Sequence, residues 1–241
     1  MLKKLVLTVF CLSLLVIAVG CNMENKTKPD PAQAKKAGEI MKEFQTITQK
    51  GAGVKEVAGF INNNIADVFQ EDASKMVDEL ERIQKEFLPQ LDSMFIEGDL
   101  QNKINNEYKS ILEQSDIKDS SLKELITKTK NGGYKVETAE GMYFPIIDYE
   151  FYKKFSAHVT ADMQNYIDIM AVESNKVPAK DAALVISWDE IVKRAINQEN
   201  FINTHNDSVK INEMRKLHQN TLHLHYMVPT TLHFSAMMPK L

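Results

Sequence analysis

The sequence predicts a mainly α-helical protein: one bundle-like domain with a small β-hairpin or extended segment near residues 134–148. Three observations predict it. Apolar residues recur at spacings of three and four through most of the chain, the pattern of helices that bury one face. Two capping boxes, Ser121-Leu-Lys-Glu124 and Ser187-Trp-Asp-Glu190, mark helix starts. A period of two appears only around Tyr134, Val136 and Thr138, which alternate with Lys135 and Glu137.

The helices follow in order. Ala34, Ala37, Ile40, Met41, Phe44 and Ile47 share a face, and Gly51 and Gly53 end the first helix. Val54, Val57, Ile61, Ile65 and Val68 continue the period, which slips near residues 70–74 and resumes at Val77, Leu80, Ile83, Phe87, Leu91 and Met94. This predicts helices over about 54–70 and 73–96, the second with a kink at Pro89. Asp99 caps a helix with Ile104, Tyr108, Ile111 and Leu112 inward, and the box at Ser121 opens a short one ending near Lys130. Asn131-Gly132-Gly133 then breaks the helical pattern, and Pro145 confines the second extended segment to an edge. Tyr152, Phe155, Val159, Tyr166, Ile167 and Met170 predict a further helix. The box at Ser187 opens one with Ile191, Val192, Ala195, Ile196 and Ile202 inward. Met214, Leu217, Thr221, Leu224 and Val228 predict the last.

Composition excludes several function classes. The 241 residues carry a net charge of −4, which gives no basic face for nucleic acid. Two cysteines cannot staple a disulfide scaffold or form a four-cysteine zinc site. No Gly-rich phosphate loop, GxSxG, HExxH, CxxC or calcium loop is present, and no cofactor is expected. No linker rich in Pro, Gly or Ser divides the chain, although its composition changes near residues 131–150, a possible subdivision.

The first residues read as an address. Lys3 and Lys4 precede an uncharged apolar run from Leu5 to Val19, the pattern of a secretory signal. Fifteen helical residues span only about 22 Å, short of a hydrocarbon core of roughly 30 Å. The run ends Ala18-Val19-Gly20-Cys21, with small residues directly before the cysteine. These residues resemble a bacterial lipobox. The resemblance is confined to the leader, and its Ala18 stands where leucine is commonest. It implies a signal peptide over 1–20, cleavage before Cys21 and lipidation of the Cys21 thiol. Cys11 follows the bulky Phe10 and does not suit that processing. Residues 21–32 would then be a lipidated tether, and residues 33–241 an extracytoplasmic domain held at the cell membrane. Removing Lys3 and Lys4 makes the mature chain more acidic still.

Three features are candidates for chemistry. Gly141–Phe155 contains six aromatic residues with Asp148 and Glu150 among them. Tyrosine rings pack while their hydroxyls bond, so Tyr143, Asp148, Tyr149 and Tyr152, with Glu173, form a candidate surface for a small ligand or an envelope protein. The same rings would equally serve as the hub of the core. Asp148 and Glu173 are also the carboxylate pair that an envelope hydrolase would need. The third feature is a bias: five of six histidines fall in the last 37 residues. A zinc site on His218, His223 and His225 fits poorly, because 223 lies off the helical face shared by 218 and 225. The expectation is a lipid-anchored binding or interaction protein of the cell envelope. A paired-carboxylate hydrolase and a histidine metal carrier are the alternatives.

Overall fold

The computed structural model describes residues 30–224, apart from 114 and 182. The leader, Cys21, His225 and Val228 lie outside the described residues. The chain is mainly α-helical, as the spacing predicts. No described helix is long and apolar enough to cross a membrane.

Helix α1 (Pro31–Gln49) packs on α2 (Val54–Asn64), which is followed by a 3-10 turn at Ile65–Asp67. The turn accounts for the phase slip in the sequence: it winds tighter than 3.6 residues, so the apolar stripe shifts before α3 (Gln70–Phe95) begins. Pro89 lies inside α3, which continues through it. Helix α4 (Leu100–Leu112) follows Asp99, whose side chain makes no capping bond to the backbone. Helix α5 (Ser120–Asn131) starts one residue before the box predicted at Ser121. Asp119 is its cap and accepts from the Leu122 amide at 2.9 Å, while the Ser121 hydroxyl donates to Asp119.

The hairpin forms where the period of two predicts it. Strand β1 (Tyr134–Ala139) pairs antiparallel with β2 (Met142–Ile147), Val136 opposite Pro145. Its two-residue turn places Glu140 and Gly141 at φ +51° and +75°, the primed geometry that matches strand twist. A two-stranded ribbon is marginal alone. This one packs on α3 and α5.

Tyr149–Phe155 forms a 3-10 helix rather than the start of an α-helix. Asp148 caps it, accepting from the Glu150 amide. Helix α6 (Ala161–Asn175) follows, then a two-residue ribbon, β3 (Ala179–Lys180) with β4 (Ala183–Leu184). Helix α7 (Trp188–Thr204) is capped by Ser187, whose hydroxyl accepts from the Glu190 amide at 3.2 Å. Helix α8 (Ile211–His223) packs along it.

The inward face of α7 differs from the expected one. Ile191, Arg194, Gln198 and Phe201 are buried, whereas Val192 and Ile196 are about half exposed (54% and 50%). Both sets are spaced for a helix. The polar set turns inward because α6 offers it a carboxylate. One hydrophobic cluster runs from Ala37 to Met214 and takes in both sides of residues 131–150.

Candidate functional site

Tyr143, Asp148, Tyr149, Tyr152 and Glu173 were expected around one site. The structure distributes them among different environments. Tyr149 and Tyr152 are core residues, 6% and 1% exposed. Tyr149 donates to the carboxylate of Glu81 on α3 at 2.5 Å, and Tyr152 donates to the side-chain oxygen of Gln84, one turn further along α3. This corrects their assignment to a ligand surface. Both hydroxyls are occupied inside the core, so a ligand would have to open it. Burial raises both phenols well above their ordinary value, and the Glu81 charge adds to the effect.

Glu81 is the centre of this hub. Its carboxylate accepts from Tyr149, from Tyr166 at 2.8 Å and from Lys85 at 2.7 Å, and its second oxygen meets Lys210 at 2.7 Å. Lys210 also bonds Asp78 and lies 5.1 Å from the Tyr166 ring centre. Burial pushes the Glu81 carboxyl up, but Lys210 and Lys85 outweigh it and bring the pKa down from 4.5 to about 2. Gln84 ties in the hairpin by donating to the Gly132 carbonyl at 2.6 Å, and Tyr134 donates to the Gln84 carbonyl at 2.9 Å. Gly133 sits here at φ +73°, where a β-carbon would fall 2.6 Å from the Gln84 amide and 2.7 Å from Phe151. Only glycine fits.

Tyr143 and Asp148 lie elsewhere. Tyr143 packs against Tyr108 with ring centres 4.8 Å apart and planes tilted by 52°, and its hydroxyl donates to Asn105 at 2.8 Å. Gln101 clamps its backbone from both sides, at 2.8 and 2.9 Å. Asp148 pairs with Lys135 at 3.2 Å, beside the end of α6.

Glu173, of the five, lines a cleft. This cleft of about 380 Å³ runs between α6 and α7. From α6 it takes Asn165, Asp168, Ile169, Val172 and Glu173, spaced at three and four along one side of the helix. From α7 it takes Arg194, Asn197 and Asn200. Asp148 is not among its lining residues, so the carboxylate pair drawn from the sequence does not share it.

The back of the cleft is a buried polar cluster. Arg194 meets Glu173 at 2.8 Å and Glu190 at 3.1 Å, and also donates to the Lys176 carbonyl at 2.8 Å. Gln198, fully buried, donates to Glu173 at 3.0 Å, while its own side-chain oxygen has no partner among the described residues. Burial raises the Glu173 carboxyl above 4.5 despite the Arg194 charge. At the outer edge, Asp168 is held by Lys153 at 2.8 Å and Asn165 lies 3.4 Å from His205.

Sequence reasoning reached Glu173 but not Arg194, Gln198 or the three asparagines. A signal existed: positions 191, 194, 198 and 201 form a helical stripe interrupted by Arg and Gln, the trace of a buried polar pair. Among the described residues, no group of three histidine, cysteine or carboxylate side chains is placed to hold a metal. His225 of the histidine set lies outside them.

Comparison with protein-family models, with curated proteins and with solved structures finds no match.

Proposed function

We propose that this chain is a lipid-anchored, extracytoplasmic binding protein of the cell envelope that holds a small polar ligand in the cleft between α6 and α7. The anchor follows from the lipobox resemblance at Cys21. Two or more acyl chains give stable attachment where a single one is marginal. A tether of about ten flexible residues reaches about 17–19 Å, so the domain works close to the membrane surface.

The observation that carries the binding reading is the cleft itself, lined by the amides of Asn165, Asn197 and Asn200 beside the buried Glu173–Arg194 pair. The volume, about 380 Å³, lies at the small end of the range for ligand sites.

Two experiments test the reading. Cys21→Ala should move the protein from the membrane to the soluble fraction; continued sedimentation with membranes and normal signal cleavage would reject the anchor. Protein extracted from its native envelope should release a small molecule on denaturation. Asn200→Trp, which fills the cleft, should abolish that release. Release that is unchanged in the variant, or absent from both proteins, would reject the cleft.

A further inference from the structure

Helix α7 presents two different sides. Val192 and Arg194 stand two residues apart on a helix of 3.6 residues per turn, so they point to opposite sides. Arg194 is buried and lines the cleft, whereas Val192 is turned outward. Trp188, Val192 and Ile196 follow at a spacing of four and form one apolar stripe, 40%, 54% and 50% exposed. Single exposed apolar residues are ordinary, but a contiguous apolar set is the mark of an interaction site.

Helix α8 leads back to this stripe. Six residues, 205–210, join it to α7, and the two helices pack along each other. So short a connection makes them antiparallel neighbours. The 13 residues of α8 run back about 20 Å, which brings its last turn level with the first turns of α7. Leu222, on that last turn, is 49% exposed. Residues 225–241 continue from this point and lie outside the described residues. Nine of these 17 residues are apolar, Tyr226, Val228 and Phe234 among them, and none is Asp or Glu. Packed helix axes lie about 8–10 Å apart and an extended residue covers at most about 3.6 Å, so a few residues suffice to cross from α8 to the stripe.

Charge and tethering favour this segment over other occupants. Asp189 and Glu199 border the stripe against one cation, Lys193. That balance disfavours an anionic lipid surface and suits a segment that carries His225, His233 and Lys240 but no carboxylate side chain. A segment of the same chain also acts at a roughly millimolar effective concentration, which a second copy does not reach. We propose that residues 225–241 fold back over the Trp188–Val192–Ile196 stripe and cover it, with Tyr226 and Val228 making the first contacts. This contact is independent of what the cleft binds.

The test places a photo-reactive benzoylphenylalanine at position 192, and separately at 196, in the full chain in its native membranes. Irradiation should join each position to residues 225–241 of the same chain, read by mass spectrometry of peptides from the monomer band. Cross-links confined to a second copy, to lipid or to another protein, or none at all, would overturn the proposal. Trp188 is the single tryptophan of the chain and supplies a second readout. In phosphatidylcholine vesicles, the full chain with Tyr226→Ser, Val228→Ser and Phe234→Ser combined should show at least doubled acrylamide quenching of Trp188, with emission moved to longer wavelength and helical content unchanged. Quenching equal to that of the parent would equally overturn it.

Discussion

Glu81 and Glu173 are both largely buried carboxylates, each gripped by a cation from a neighbouring helix, yet their surroundings drive them in opposite directions. Glu81 receives two tyrosine hydroxyls and two ammonium groups, and its pKa falls to about 2. Glu173 receives one guanidinium and one amide, and its pKa rises above 4.5. Burial acts upward on both. The number and charge of the donors decide which effect wins. The first cluster spends its polar groups on joining α3, the 3-10 helix, α6 and the start of α8. In the second, Glu173 and Arg194 line a cleft, and the buried Gln198 oxygen has no partner among the described residues. A network closed inside the core holds a fold together, whereas one whose Glu173 and Arg194 line an opening keeps polar groups within reach of a ligand.

The comparison breaks most visibly at Glu81. Glu81→Leu strands the Lys210 ammonium, only 2% exposed, with Asp78 at the edge of the core. The expected loss is about 3–5 kcal/mol in urea unfolding, and a loss under about 1 kcal/mol would mean that the hub does not organise the core.

Acid titration comes next. A carboxyl at 4.5 when unfolded and about 2 when folded contributes roughly 3 kcal/mol of stability. Because the folded value is the lower one, that contribution is present above pH 4.5 and is lost as pH falls from 4.5 through 2. Glu173 acts with the opposite sign: its raised value makes the folded state hold the proton more tightly, so its share declines as pH rises through and above 4.5. Glu81→Gln should flatten the acid limb of the stability profile and Glu173→Gln should steepen it. Matching profiles for the two variants would end the contrast.

The two glutamines sharpen it further. Gln84→Met removes the acceptor of the Tyr152 hydroxyl and the donor to the Gly132 carbonyl, and should cost about 2 kcal/mol by chemical denaturation. Gln198→Met loses one bond to Glu173 but also removes an orphaned acceptor, so stability should stay within about 1 kcal/mol of the parent. A large loss at Gln198 would show that its oxygen already has a partner.

Most of the fold was legible because it is written in local periodicities. The helices at 31–49, 54–64, 70–95 and 100–112, and the hairpin at 134–147, lie where spacing and turn residues place them. The site was scarcely legible. The tyrosines that looked like a binding surface became core, because their hydroxyls found Glu81 and Gln84, 68 residues away in sequence. Glu173 of the expected set reached a cleft, and its partners Arg194 and Gln198 were hidden in a helix whose apolar residues pointed to another face.

The sequence by itself determined the helical class, a hairpin or extended segment near residues 134–148, and a cap such as Ser187, since each depends on residues only a few positions apart. It also carries the whole argument for the Cys21 anchor. Tertiary structure decided which stripe of α7 turns inward, which carboxylate is ionised more readily and which is held back, and where a cleft opens. Those outcomes depend on groups brought together from distant helices, where the balance between desolvation and donated bonds is set by neighbours that local spacing does not encode.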